Sequence, residues 1–401
     1  MTWGVRTRLP PAGDVRARAW RGIDSGDRRR ETGLPLKLCC GADVSETKSG
    51  TEAAADAEQA PEILCERRGQ AGVIVLNRPR ALNALTPGMV RGLAAALDAW
   101  ECDPGVKHVV VMGAGEKAFC AGGDIRLLHD WGKAGRIAEA RAFWQEEYLL
   151  NLRIKTYPKP YVALIDGIVM GGGVGVSLHG SHRVAGERYR FAMPEVGIGF
   201  FPDVGATHAL PRLPGATGSW LAVSGERVGQ SDALALGLVT HSLPSSAFAP
   251  CLEALIAGED VDATLARLGQ NPGPAPVHER RALIDHAFSA ATVEEIVARL
   301  AASDDPYAAS LIAAMAAKSP TSMKLALAQM QAGATLSFED AVRLEYRIVS
   351  RVVLGHDFYE GVRALIIDKD QKPAWRPDRL EAVDAATIMA YLAPLSNELP
   401  V

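Results

Sequence analysis

From about residue 62 the chain alternates short β-branched apolar runs with longer amphipathic ones. Ile63–Glu66 and Gly72–Leu76 predict two paired strands across a glycine-containing turn. Asn77-Arg78-Pro79 ends the second, because proline and the residue before it resist continuation. Thr86 is placed to cap a helix with Pro87 at its first position and the amphipathic run MVRGLAAALDAW behind it. Lys107–Met112 (KHVVVM) and Tyr161–Ile165 (YVALI) have the continuous apolar character of buried strands. Strand pair, helix, strand and glycine loop make a ββα unit, and the chain from Tyr161 partly repeats it, which is an α/β pattern. Helices are expected over VGATHALPRL and GATGSWLAVSG, then over 230–238 leading into LVTHSL. From about 247 to 354 the windows are alanine- and leucine-rich and predict mostly helix. Pro373 and Pro377 are expected to end the compact structure, leaving 377–401 as a tail. The implied division is a mixed α/β core over 61–255 and a helical region over 256–376.

Residues 1–60 break this pattern. They lack apolar periodicity, are arginine-rich in the first half and acidic in the second, and read as a disordered tail. A mitochondrial transit peptide is the competing reading of RTRLPPAGDVRARAWRG, although Asp14, Asp24 and Asp27 interrupt it.

Composition narrows the chemistry. At 401 residues with 48% apolar residues the chain can bury a sizeable core. A net charge of −4 leaves no electrostatic footprint for nucleic acid. Six cysteines without C-x-x-C spacing suit a reducing compartment, and no His/Cys pattern has zinc spacing, so no metal is expected. No apolar run reaches membrane-spanning length. Abundant alanine and an excess of arginine over lysine point to a GC-rich, bacterial source and a cytoplasmic location, with the mitochondrial matrix as the eukaryotic alternative.

Candidate chemistry concentrates in two glycine loops and one acidic loop. Gly171-Gly172-Gly173-Val174-Gly175 follows an apolar strand and opens a short helix. Backbone N–H groups at such a helix start are unpaired and can hold a phosphate, a carboxylate or a developing oxyanion. Ala118–Asp124 is a second such loop, with Asp124 placed to cap the helix from Ile125. Two loops of this kind raise the prospect that two N–H groups converge. Glu195 and Asp203 lie eight residues apart, separated by Gly197, Gly199 and Pro202, so they can meet only through a folded loop. Glu146 and Glu147 point different ways on a helix, so at most one faces a given site.

The glycines do not form a dinucleotide fingerprint: starting at Gly171 the sixth position is Val176, and starting at Gly173 it is Leu178. No G-K-[ST] follows, which excludes a P-loop. Ser177 in GVSLHG is not a nucleophile elbow, and His179, His182, His208 and Cys120 read as structural.

Leu76–Pro79 with Ala81–Leu85, Phe119–Asp124 and the Gly171–Gly173 turn together resemble the crotonase (enoyl-CoA hydratase/isomerase) superfamily. A hydrolase subgroup is matched further by Phe191–Glu195, Phe201–Gly205, Leu210–Leu213, SPTSMK, Gly355–Phe358, and Glu360–Ala364 followed by Asp368-Lys369-Asp370. The resemblance spans about residues 62–376. It implies a crotonase-like α/β spiral of ββα units in which Gly123 and Gly172 bind the thioester oxygen of an acyl-CoA. It implies Glu195 and Asp203 as catalytic carboxylates, and substrate contacts at Glu147, Gly122, Gly171, Ala81 and Asn83. Gly175 stands where the family's hydratases carry their first catalytic glutamate, which argues against water addition to a double bond. The implied activity is hydrolysis of a short 3-hydroxyacyl-CoA, with 3-hydroxyisobutyryl-CoA of valine breakdown as the expected substrate. Glu195 would attack the carbonyl directly or act as general base on water. Asp203 would position the substrate hydroxyl or tune Glu195. No separate cofactor is expected, since coenzyme A is part of the substrate; neither nucleic acid nor membrane is expected as partner. The helical C-terminal region either covers its own active site or mediates homo-oligomerisation. Two alternatives stay open: hydration or isomerisation of another acyl-CoA, and a non-catalytic crotonase-fold subunit.

Overall fold

The computed structural model describes residues 60–401, so the reading of 1–60 lies outside the described residues. The first two strands, β1 (Ile63–Arg68) and β2 (Ala71–Leu76), form the expected antiparallel hairpin. Thr86 accepts a hydrogen bond from the Met89 N–H and starts α1 (Pro87–Glu101). Three successive turns of chain then lay down strands in two sheets. The first turn contributes β3 (His108–Gly113) and β4 (Ala118–Cys120), followed by α2 (Ile125–Lys133) and α3 (Ile137–Lys155). The second contributes β5 (Tyr161–Ile165), β6 (Ile168–Met170) and the one-turn α4 (Gly172–Gly175). The third contributes β7 (His182–Ala185) and β8 (Arg190–Ala192). After α5 (Ala206–Ala209), α6 (Thr217–Ser224) and α7 (Gln230–Leu236), β9 (His241–Ser242) closes the larger sheet. That sheet runs β1-β2-β3-β5-β7-β9, parallel beyond the hairpin, and the smaller one runs β4-β6-β8, all parallel. The repeat explains the spiral of ββα units: each turn places one strand in each sheet.

Period-2 alternation decides what covers the large sheet. Val73, Val110, Val162, Leu164 and Val184 face α8 (Phe248–Ile256) and α9 (Val261–Leu268). Ile74, Val109, Val111, Ala163 and Ile165 face the opposite way, into the core shared with α1 and α3. The next helices along the chain, α10 (Val277–Phe288), α11 (Val293–Ala301), α12 (Pro306–Ala316), α13 (Pro320–Gly333), α14 (Phe338–Val352) and α15 (His356–Val362), add their apolar faces to that same core. The described residues 60–401 are one compact unit, so the expected break near 255 does not separate two bodies.

Two expectations are corrected here. The apolar runs at Lys107–Met112 and Tyr161–Ile165 do not feed the glycine loops directly; β4 and β6 intervene. Each is only three residues long, too short to show periodicity. Nor does the compact structure end at Pro377. Asp384 caps α16 (Ala385–Leu392), and Val383, Ile388 and Leu399 are buried against the core. Pro377 lies in an irregular connection between Ile367 and Leu380, and packing resumes as soon as a new cap and an apolar stripe appear.

Candidate active site

The small sheet positions the site. Its three strands are parallel and adjacent, with Ala118 paired to Ile168 and Ile168 to Arg190. Their C-terminal ends therefore lie side by side. Gly122 and Gly123 leave the first, Gly171 and Gly172 the second, and Met193-Pro194-Glu195 the third. All three ends open on one cavity of about 460 Å³, which also receives Glu147 and Asp203. The sequence-predicted residues Glu195, Asp203, Gly123, Gly172, Glu147, Gly122 and Gly171 are thus brought together.

The glycines are needed for close approach. Gly122 (φ 122°) and Gly171 (φ 46°) adopt conformations that side chains oppose. A Cβ on Gly171 would lie 3.2 Å from Glu195 Oε1 and 3.3 Å from Gly122 Cα. One on Gly172 would lie 2.5 Å from Glu147 Oε1 and 3.1 Å from the Gly123 nitrogen. The Gly172 N–H opens α4 and has no intrahelical acceptor. The Gly123 N–H is passed over by its backbone neighbours: Leu85 bonds to Gly122 O and Asp124 to Leu85 O. Asp124 accepts from the Leu127 N–H and caps α2 as expected.

The wall that adjoins these turns is acidic and buried. Glu195 (6% exposed) starts a 3-10 turn, Glu195–Ile198, and its Oε2 has no protein partner. Burial and the neighbouring Asp203 push its carboxyl well above the usual range. Asp203 (4% exposed) is pushed up to about 7 by burial, against the pull of the Tyr148 hydroxyl, which donates to Oδ2 at 2.9 Å. Glu147 is buried on the cavity side of α3 and is pushed up by burial, then by Asp203 and Glu345. Its neighbour Glu146 faces outward and pairs with Arg91 at 2.7 Å, which realises the expected divergence of the two. Burial and like charges close together both favour the protonated forms along this wall.

Two predicted contacts lie elsewhere. Ala81 ends an exposed 3-10 turn, Pro79–Ala81, and does not line the cavity. Asn83 is fully buried with its amide committed to backbone: Nδ2 donates to Ala114 O and Ala118 O, both at 2.9 Å, and Oδ1 accepts from Arg78 N at 2.9 Å. It anchors the β3–β4 connection, which backs the first glycine loop. The structural reading of the other candidates stands on their partners. His179 contacts Val204 O at 2.6 Å, and burial pushes it down to about 3. Ser177 donates to Gly173 O, and burial pushes the Cys120 thiol up to about 12.

Gly175 lies beside this wall, outside the cavity lining. A Cβ there would fall 2.7 Å from Asn151 Nδ2 and 2.8 Å from Val204 Cβ. Asn151 and Val204 therefore occupy the room that a glutamate at this position would need.

Several site residues escape the sequence reading. Tyr148 follows Glu147 on α3, and adjacency on a helix does not indicate a shared face. Glu345, Lys318, Leu365 and Ile366 come from the C-terminal helical region, where no local pattern sets them apart from core or surface positions. The last three line the cavity, so this region does cover its own active site.

Comparison with known proteins agrees with this architecture. Residues 71–392 match the enoyl-CoA hydratase/isomerase family. A mitochondrial 3-hydroxyisobutyryl-CoA hydrolase from Danio rerio is 46% identical over 332 residues, 80% of this chain and 87% of that protein. Its Homo sapiens counterpart is 42% identical over 351 residues, 85% of this chain and 90% of that protein. The crystal structure of a carnitinyl-CoA dehydratase from Mycobacterium thermoresistibile has a TM-score of 0.82 at 43% identity, covering 85% of this chain and 98% of that one. An enoyl-CoA hydratase from Rhodobacter sphaeroides 2.4.1 has a TM-score of 0.78 at 42% identity, covering 84% and 98%. With its spiral of ββα units, its paired glycine turns and these relatives, the chain belongs to the crotonase-fold enoyl-CoA hydratase/isomerase family, together with the 3-hydroxyisobutyryl-CoA hydrolases.

Proposed function

We propose that this chain is an acyl-CoA thioester hydrolase that converts 3-hydroxyisobutyryl-CoA to 3-hydroxyisobutyrate and coenzyme A. One observation carries the reading: a buried Glu195–Asp203 pair lines a single cavity with two converging glycine turns. The names of the relatives supply the acyl group. The crowding at Gly175 favours thioester cleavage over hydration, because the first catalytic glutamate of a hydratase has no room there.

The thioester oxygen is held by the Gly123 and Gly172 N–H groups, which stabilise the negative charge that develops on it. Glu195, made more basic by burial, serves as nucleophile or as general base. In one route its carboxylate adds to the carbonyl carbon, coenzyme A leaves as the thiolate, and water opens the resulting mixed anhydride. In the other it takes a proton from water, which adds instead. Asp203 orients the substrate hydroxyl and, through its charge, keeps Glu195 basic. Coenzyme A enters as part of the substrate, and no step uses a separate cofactor or metal. The mitochondrial names of the relatives support a matrix location over a cytoplasmic one, and subcellular fractionation tests it.

Free-thiol release from a panel of acyl-CoAs tests the function. We expect turnover of 3-hydroxyisobutyryl-CoA, with Glu195→Gln lowering kcat by about 10³-fold. Hydration of crotonyl-CoA without thiol release would sink the hydrolase reading. Labelled oxygen recovered in Glu195 after a single turnover in labelled water selects direct attack, with water opening the anhydride at the glutamyl carbon.

A further inference from the structure

The turn that carries Asp203 is strained and held from a distance. Val204 has φ 54° and Gly205 φ 85°, two consecutive residues in the left-handed region. For valine, branched at Cβ, that conformation is costly and persists only where the surroundings enforce it. The enforcing groups are identifiable. Glu345 Oε2 accepts the Gly205 N–H at 2.8 Å and Oε1 accepts the Thr207 N–H at 2.9 Å. Gln329 Nε2 donates to Pro202 O at 3.0 Å and to Thr207 Oγ1 at 2.9 Å. The glutamate comes from α14 and the glutamine from α13, more than a hundred residues further along the chain.

Glu345 is the unexpected member. It is completely buried, and among the described residues no lysine or arginine pairs with it. A carboxylate in that setting is expensive unless its hydrogen bonds matter. Both its oxygens are spent on this one turn.

We propose that Glu345 is a positioning residue for Asp203, its carboxylate holding the Pro202–Thr207 turn in the strained form that directs Asp203 into the cavity. The proposal rests on the reading of Asp203 as part of the hydrolytic site. Glu345 touches no reacting atom. Its effect passes through the backbone on the C-terminal side of Asp203, whereas the Tyr148 hydroxyl fixes the same side chain directly. The helical region therefore contributes the alignment of a catalytic carboxylate as well as a wall of the cavity.

The test is steady-state hydrolysis of 3-hydroxyisobutyryl-CoA by full-length variants. In Glu345→Gln one oxygen can still accept an N–H, while the new amide group faces the other donor. We expect kcat to fall by about tenfold or more with KM within about threefold of wild type, and the circular dichroism spectrum unchanged. A purely structural role would not give the next result. Val204→Gly removes the strain, because glycine adopts φ 54° freely, and should raise kcat of the Glu345→Gln protein by about threefold or more. A Glu345→Gln enzyme with wild-type kcat overturns the proposal, as does a kcat loss that Val204→Gly does not relieve. Should Glu345→Gln fail to fold, Glu345→Asp keeps the charge, shortens the reach and is judged by the same kcat-against-KM split. Asp203→Asn separates the two levels: if it is fully active, the reading of Asp203 falls and the proposal with it. If it is inactive while Glu345→Gln is active, only the positioning role falls.

Discussion

The two walls of the cavity are made by different means. The glycine wall is backbone, delivered by the ends of β4 and β6 in one parallel sheet, and its position follows from strand register. The acidic wall is side chains, and one of its members, Asp203, sits on a turn that α3, α13 and α14 hold in place. The first wall is specified within about fifty residues of sequence, the second across nearly two hundred. Local geometry suffices where the active groups are N–H donors that cannot reorient. A carboxylate must be both aimed and kept from its preferred ionisation, and that takes contacts from elsewhere.

The sharpest test of the glycine wall is Gly172→Ala. The new Cβ would crowd Glu147 Oε1 and the Gly123 nitrogen, so we expect kcat to drop by about 10²-fold or more in the thiol-release assay. Retained activity would show that the lining yields to the added Cβ and that turnover does not need the close approach made by Gly172.

A smaller effect is expected where the walls meet. Gly175→Ala would press on Asn151 and Val204, and overpacking of this kind costs about 1–3 kcal/mol. That outweighs the gain of about 1 kcal/mol in helix propensity, so urea denaturation should show a net loss of stability. A stabilised variant would mean that the room for a carboxylate exists after all.

The finest distinction is in pH dependence. Asp203 helps to push Glu195 upward, and the proposed mechanism uses Glu195 in its ionised form. Removing the Asp203 charge makes that ionisation easier. The acid limb of kcat/KM for Asp203→Asn should therefore move to lower pH, measured on whatever activity remains. A limb that stays in place, or moves up, breaks the coupling between the two carboxylates.

Legibility in the sequence divides along the same line. Helix caps at Thr86 and Asp124, the strand Tyr161–Ile165 and both glycine turns announce themselves within a few residues, because capping and left-handed backbone depend on local chemistry. Glu195 and Asp203 are legible as a pair only through family likeness; nothing in their spacing shows that the loop between them folds inward. Asn83 reads as a substrate contact, yet its amide serves three backbone groups that sequence alone cannot place near it. Glu345 looks like any polar position of an amphipathic helix. Its burial is set by where α14 docks, and that is a tertiary fact. The helix at Ala385–Leu392 escapes the pattern because a proline disfavours helix where it stands and carries no information about the chain beyond it.

The contact between Glu345 and the Gly205–Thr207 turn also orders events in time. A protein leaves the ribosome amino end first and folds domain by domain as it emerges. The glycine turns, Glu195 and Asp203 are synthesised well before α14, but the Gly205–Thr207 turn cannot make its bonds to Glu345 until that helix arrives and docks. A chain stalled or cut short of residue 345 would carry every reacting group and still lack an aligned site. On the proposed role of Glu345, thioester cleavage is reserved for nearly finished molecules, and a fragment that ends before α14 should release no thiol from acyl-CoA.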